Sequence, residues 1–140
     1  MSKIAVGYTC QPHSDMQINR GMASLQLIRS DPAHMRTIYG YKIDGHEVSR
    51  GYLDIEWIST VVRNTTLSML SQAAQDLETV ALSVNAVQSI LVGTGVLIEC
   101  QLLQTRALKA SVVIRNANLP HTIYATGTHI MAFKGIAARL

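Results

Sequence analysis

Hydrophobic and polar positions change their period midway along the chain. From Glu78 onward they alternate. Val80, Leu82, Val84 and Ala86 share one face, as do Val96, Ile98, Cys100 and Leu102, and then Ala110, Val112 and Ile114. The last run aligns Ile123, Ala125, Gly127, His129, Met131 and Phe133. Breaks at Gly93-Thr94-Gly95, Arg106 to Lys109 and Asn116 to Pro120 separate these runs, which predicts four antiparallel strands joined by tight turns as a meander. Upstream the pattern differs. From Gly51 to about Ala74 the run YLDIEWISTVVRNTTLSMLSQAA holds no Pro or Gly and is apolar on most sides, which predicts a long buried helix. Its Ile, Val and Thr residues lower helix propensity, so packing must hold it. Residues 36–48 read as one strand, with a turn or strand end at Gly45. Asp15 is placed to cap a short helix over 16–28, with Ile18, Met22, Leu25 and Ile28 near helical spacing, and Ser30-Asp31-Pro32 ends it. Residues 1–15 read as a loose segment.

The element order is therefore short helix, strand, long helix, then four strands. A sheet must cover its apolar face, and the central helix is the only long apolar one available. The expected architecture is α+β, a curved antiparallel sheet wrapped around that helix, in one domain spanning the 140 residues. Charged residues make up only 15% of the chain, against roughly a quarter in ordinary domains. A surface so poor in charge points to a homo-oligomer. The net charge is +3, but the basic residues are scattered and aromatics are 5%, which argues against nucleic acid. Cys10 and Cys100 form no framework, Cys100 reads as core, and no Cys/His cluster has metal spacing, so no metal is expected. There is no convincing signal peptide and no apolar run of about 18 residues. A cytoplasmic protein without a membrane partner is expected.

The second half, VALSVNAVQSILVGTGVLIECQLLQTRALKASVVIRNANLPHTIYATGTHIMAF, resembles the hotdog-fold acyl-CoA thioesterases of the phenylacetate-degradation type. Gly95 takes the place of the family's turn glycine, Arg106 falls in its basic turn, and Ala125-Thr126-Gly127-Thr128 matches the small residues of its last strand. The resemblance covers about residues 36–134. It implies a hotdog fold and a site between two subunits, hence a dimer or a dimer of dimers. It also implies acyl-CoA as ligand, with coenzyme A entering only as part of the substrate and no other cofactor. The family opens its central helix with His-Gly-Gly and carries an acid about two turns later. Helix N-terminal amides would polarise the thioester carbonyl, and the acid would attack it or activate water.

This chain has Ser49-Arg50-Gly51 at that opening, so only Gly51 matches, and the acid position falls on Ile58, or on Ser59 with a slip of one. Asp54 and Glu56 come earlier. Glu56 enters register if two residues are lost before the helix, and it then shares a face with Thr60 one turn on. His46 would stand in for the missing histidine. The candidate catalytic set is Glu56, Asp54, Thr60, His46 and Gly51, with Arg106 and Lys109 as candidate contacts for coenzyme A phosphates. Each has a plainer alternative. Glu56 pairs with Arg63 or is solvated, and Asp54 serves the helix dipole. His46 is a turn histidine, and Ser59 and Thr60 bond their own backbone. Arg106 and Lys109 mark a solvated turn. Trp57 reads as core or interface, and His129 as a satisfied interior or interface histidine. The leading functional reading is thioester hydrolysis by a helix-borne carboxylate. A non-catalytic hotdog module binding acyl-CoA or another hydrophobic ligand is the alternative, with a cone-shaped fold as a third.

Overall fold

The computed structural model describes residues 25–70, 76–104 and 108–134. Strand β1 is Gln26–Asp31, followed by a 3-10 turn at Pro32–His34 and strand β2 at Arg36–Lys42. A two-stranded hairpin, β3 (Val48–Ser49) and β4 (Tyr52–Leu53), precedes helix α1 (Ile55–Met69). Strands β5 (Leu77–Ala86), β6 (Gly95–Gln104), β7 (Leu108–Asn116) and β8 (Ile123–Phe133) complete the chain. The main sheet has six antiparallel strands in the order β1-β2-β6-β7-β8-β5, and α1 packs on one face of it.

The alternation read from the sequence sets that face. Val96, Ile98, Cys100, Leu102, Ala110, Val112, Ile114, Ala125, His129 and Met131 are all buried against the helix side. Burial pushes the Cys100 thiol up to about 12, so it behaves as an apolar filler. From α1 the buried residues are Trp57, Ile58, Val61, Val62, Thr65 and Thr66, spaced as one helical stripe. The helix packs tightly on the sheet at Gly127, where an added Cβ would stand 2.5 Å from Val62 Cγ2.

Four expectations are corrected. The helix expected over 16–28 is a strand from Gln26, pairing with β2 from Gln26↔Gly40 to Asp31↔Arg36; the rest of it lies outside the described residues, as does 1–15. As an edge strand β1 is exposed along most of its length, so no alternation marked it. The strand expected over 36–48 stops at Lys42. The central helix begins at Ile55 rather than Gly51 and ends at Met69, with 71–75 outside the described residues; it is amphipathic, with Ile55, Glu56 and Arg63 exposed. The last four strands are not one meander. Only β6, β7 and β8 run as consecutive hairpins, while β5 lies beyond β8 at the far edge. Periodicity reports which face is buried and not which strand lies alongside. The Gly93-Thr94 turn instead ties to the end of β2, where Ile43 exchanges hydrogen bonds with Gly93 and Thr94 at 2.8 and 2.9 Å.

The face assigned to β5 also shifts locally. Leu82, Val84 and Ala86 pack on the core as expected, but Val80 is exposed. The register shifts between Thr79 and Ala81, and a bulge of this kind redirects the side chains around it.

Candidate functional site

The chain between β2 and α1 builds one end of the molecule. Leaving β2 at Lys42, it turns through Asp44 and Gly45, whose φ of 125° suits glycine. The hairpin β3–β4 follows, with Arg50 (φ 56°) and Gly51 (φ 85°) as its two turn residues. Two successive positive φ values are the signature of a type I′ hairpin. Asp54 then caps α1, its carboxylate accepting from Trp57 N–H at 3.3 Å. The 87–94 loop closes over this segment, with Ile90 N–H donating to the Gly51 carbonyl at 2.8 Å.

Glu47 is the fixed point of the segment and is fully buried. Its Oε1 accepts from the amides of Asp44 and Gly45 at 3.0 and 2.9 Å, and its Oε2 accepts from the Tyr41 hydroxyl. Its own carbonyl accepts from Asp54 N–H at 2.7 Å, linking the loop to the helix cap. Burial pushes the Glu47 carboxyl up, but the Tyr41 hydroxyl and the amides outweigh it and hold it below the usual range. Burial and the same carboxylate push the Tyr41 phenol up, so it stays a donor. The Tyr41 ring stacks at a tilt on Trp57, centroids 5.5 Å apart, which makes Trp57 a core residue here.

His46 projects from this turn and is exposed. Its Nε2 lies 3.6 Å from Glu47 Oε2, and its Nδ1 lies 3.6 Å from Asp44 Oδ2. Both distances are longer than a hydrogen bond. His46 and Tyr41, Lys42, Ile43 and Asp44 line a depression of about 410 Å³. A second cleft, of about 240 Å³, lies at the other end of α1 between Leu27, Met35, Thr37, Tyr39 and Met69.

The other candidates are placed as follows. Glu56 is exposed in the first turn of α1, and no ion pair with Arg63 forms among the described residues. Thr60 lies one turn on, but its hydroxyl donates to the Glu56 carbonyl at 3.0 Å; Ser59 does the same to Ile55 at 2.8 Å. Asp54 is engaged as the cap. Gly51 sits in the exposed hairpin turn ahead of the helix, so its amide is not one of the helix's own N-terminal donors. Ile58 is fully buried in the core. Lys109 is exposed at the opposite end of the sheet, near the start of β7, and Arg106 lies outside the described residues. His129 is an interior histidine, bonded to Thr66 and Thr79. Sequence reasoning passed over Glu47. The only hint was an acid two residues after an Asp-Gly turn, within reach of the turn's amides. No group of His, Cys, Asp and Glu among the described residues is arranged to hold a metal.

No protein-family model matches the chain, and no curated protein matches it in sequence. Solved structures do. Mouse thioesterase superfamily member 2 superposes with a TM-score of 0.74 at 18% identity, over 96% of this chain and 100% of that one. The chain has the hotdog fold. A Streptococcus mutans protein bound to acetyl-CoA gives a TM-score of 0.64 at 16% identity, covering 79% of this chain and 89% of that one. The Escherichia coli PaaI protein of the phenylacetic acid degradation operon gives 0.64 at 11%, over 95% and 97%. The hotdog neighbours include the phenylacetate-degradation type that the sequence resembles. No helix among the described residues is long and apolar enough to cross a membrane.

Proposed function

We propose that the protein binds an acyl-CoA thioester at the end of the sheet where α1 begins, and hydrolyses it. The carrying observation is the likeness of the whole sheet-and-helix frame to thioesterase superfamily member 2 and to a Streptococcus mutans protein bound to acetyl-CoA. With Asp54 engaged as a cap and Thr60 on its own backbone, Glu56 and His46 remain as side chains able to take a proton from water. The water oxygen would bond to the thioester carbon, the C–S bond would break, and the proton would end on the leaving sulfur. The expected result is free-thiol release from at least one acyl-CoA. Glu56→Ala or His46→Gln should lower kcat by about 10²–10⁴-fold, the range for losing a general base. Asp54→Ala should keep turnover and cost about 1 kcal/mol of stability as a lost cap.

The non-catalytic reading keeps one specific support: the family's acid position is Ile58, sealed in the core. Measurable CoA binding without turnover of any thioester would establish it over hydrolysis.

We also propose a homodimer through β5. This edge strand has ten residues, no Pro and one charge, and its outward positions Val80, Ala81, Ser83 and Asn85 are exposed. An unguarded edge is a template for another strand, and antiparallel self-pairing yields a two-fold axis. Pairing two dimers would give the tetramer. Sedimentation at micromolar concentration should return at least twice the monomer mass; a monomer throughout rejects this assembly.

A further inference from the structure

We propose that Glu47 is a positioning residue, holding His46 as the proton acceptor of this site. The inference rests on the thioesterase reading for its chemistry, while its geometry stands apart from it. Of the two remaining candidates, Glu56 is exposed in the first helical turn, and no hydrogen bond or ion pair orients its carboxylate among the described residues. His46 differs because an immobile carboxylate lies behind it. Glu47 is fully buried and held by three donors, two on Oε1 and one on Oε2. Each carboxylate oxygen accepts about two hydrogen bonds, so Oε2 keeps one lone pair, and His46 Nε2 lies 3.6 Å from it.

At 3.6 Å this contact is not a hydrogen bond, and the ring must close on Glu47 Oε2 when substrate binds. Nε2 would then carry the hydrogen toward Glu47, leaving the Nδ1 lone pair to accept a proton. Among the described residues, the acid near Nδ1 is Asp44, whose side chain is 80% exposed. The ring also borders the 410 Å³ depression, so a substrate carbonyl has room beside it. Water would give its proton to Nδ1, and its oxygen would bond to the thioester carbon. The C–S bond would then break, and Nδ1 would return the proton to the sulfur. The imidazolium formed in between is stabilised by the buried negative charge, as a carboxylate behind a catalytic histidine does elsewhere.

A double-mutant cycle separates this from a merely structural Glu47. Glu47→Gln keeps the shape and removes the charge. It should lower kcat by about 10–100-fold with KM nearly unchanged, a loss specific to the transition state. Added to His46→Gln it should cost nothing more, because the partner it acts through is gone. An equal loss in both backgrounds would overturn the proposal. A second measurement needs no turnover: carbethoxylation of His46 by diethyl pyrocarbonate, followed by mass spectrometry, with exposed His34 and His121 as internal references. The reaction is run at about pH 9, well above the ordinary histidine range, so that only the nucleophilicity of the neutral ring is compared. Glu47→Gln should then slow His46 severalfold and leave the references alone; an unchanged rate overturns the proposal. If the wild type hydrolyses no acyl-CoA, the functional reading falls and this second measurement decides for Glu47 alone. Should Glu47→Gln not fold, Glu47→Asp withdraws the charge by one methylene, and the same slowing at His46 is required.

Discussion

Ile58→Asp is expected to unfold the domain at neutral pH. This substitution installs a carboxylate at the helix position where the resemblance to the thioesterases asks for one. Here that position faces the sheet, fully buried within the core cluster that includes Val61, Val62, Ile98 and Ile114. Losing a buried Ile side chain costs about 2–5 kcal/mol. A carboxylate taken from water without a partner adds several kcal/mol more, limited only by its taking up a proton instead. Together these approach or exceed the roughly 5–15 kcal/mol that holds a domain together. Ile58→Val, which trims one methylene, should cost about 0.5–1.5 kcal/mol and serves as the control. Circular dichroism with urea titration reads both. A folded Ile58→Asp variant with near-native stability would mean that position 58 opens to solvent, and the site would then have to be redrawn around it.

The same residue shows where sequence reading succeeds and where it stops. That the helix carrying Ile58, Val61 and Val62 is buried was legible from its long apolar run. Which stripe faces the sheet was not, since Thr65 and Thr66 lie on the buried side and Ile55 on the exposed one. Val96, Ile98, Cys100 and Leu102 were legible because a strand with one buried face must alternate. Which strands lie side by side was not legible, since the pattern of β5 is equally satisfied beside β6 or beside β8. The register shift at Thr79–Ala81 was hidden for a similar reason: Thr79 is as acceptable a strand residue as Val80, and nothing in the spacing shows that its hydroxyl reaches His129. At the site, the Arg50-Gly51 turn reads in the sequence as a helix start, because a glycine suits both. The deciding fact is that Arg50 itself adopts a positive φ, which is uncommon for a residue with a Cβ. Glu47 was the hardest to see. Its burial depends on the Tyr41 hydroxyl and two turn amides, and none of those contacts follows from spacing along the chain.

Stability should fall as pH drops from about 6.5 to about 4, and His129 should account for much of that slope. The imidazole is fully buried between α1, β8 and β5. Thr66 Oγ1 lies 2.5 Å from its Nδ1 and Thr79 Oγ1 lies 2.8 Å from its Nε2. The Thr66 hydroxyl donates to the Val62 carbonyl at 2.9 Å, so it accepts from Nδ1–H, and Nε2 is left to accept from Thr79. Both ring nitrogens are satisfied only while the ring is neutral. Protonation would place a second hydrogen against Thr79 and a charge in the core. Burial, with a smaller contribution from the Arg63 charge, accordingly lowers the His129 pKa to about 4. The unfolded chain has the ordinary value near 6.5 and therefore binds more protons across this window, so stability rises with pH there and is fully present above it. The difference corresponds to about 3 kcal/mol at most. Glu47 and Glu99 act in the same direction at lower pH. Their folded values are depressed, so what they contribute is lost as pH falls through the carboxylate range. Glu99 sits between Arg36 and Arg115 on the outer face of the sheet, apart from the histidine. Thermal melts between pH 4 and 7 should therefore show a Tm that climbs with pH in the wild type. His129→Met removes the titrating group, so it should flatten the part of the curve between about pH 4.5 and 6.5 while lowering Tm at pH 7, where two hydroxyls lose their partner. An unchanged slope in that variant would mean that the ring is protonated in the folded state, and that Thr66 and Thr79 both accept from it.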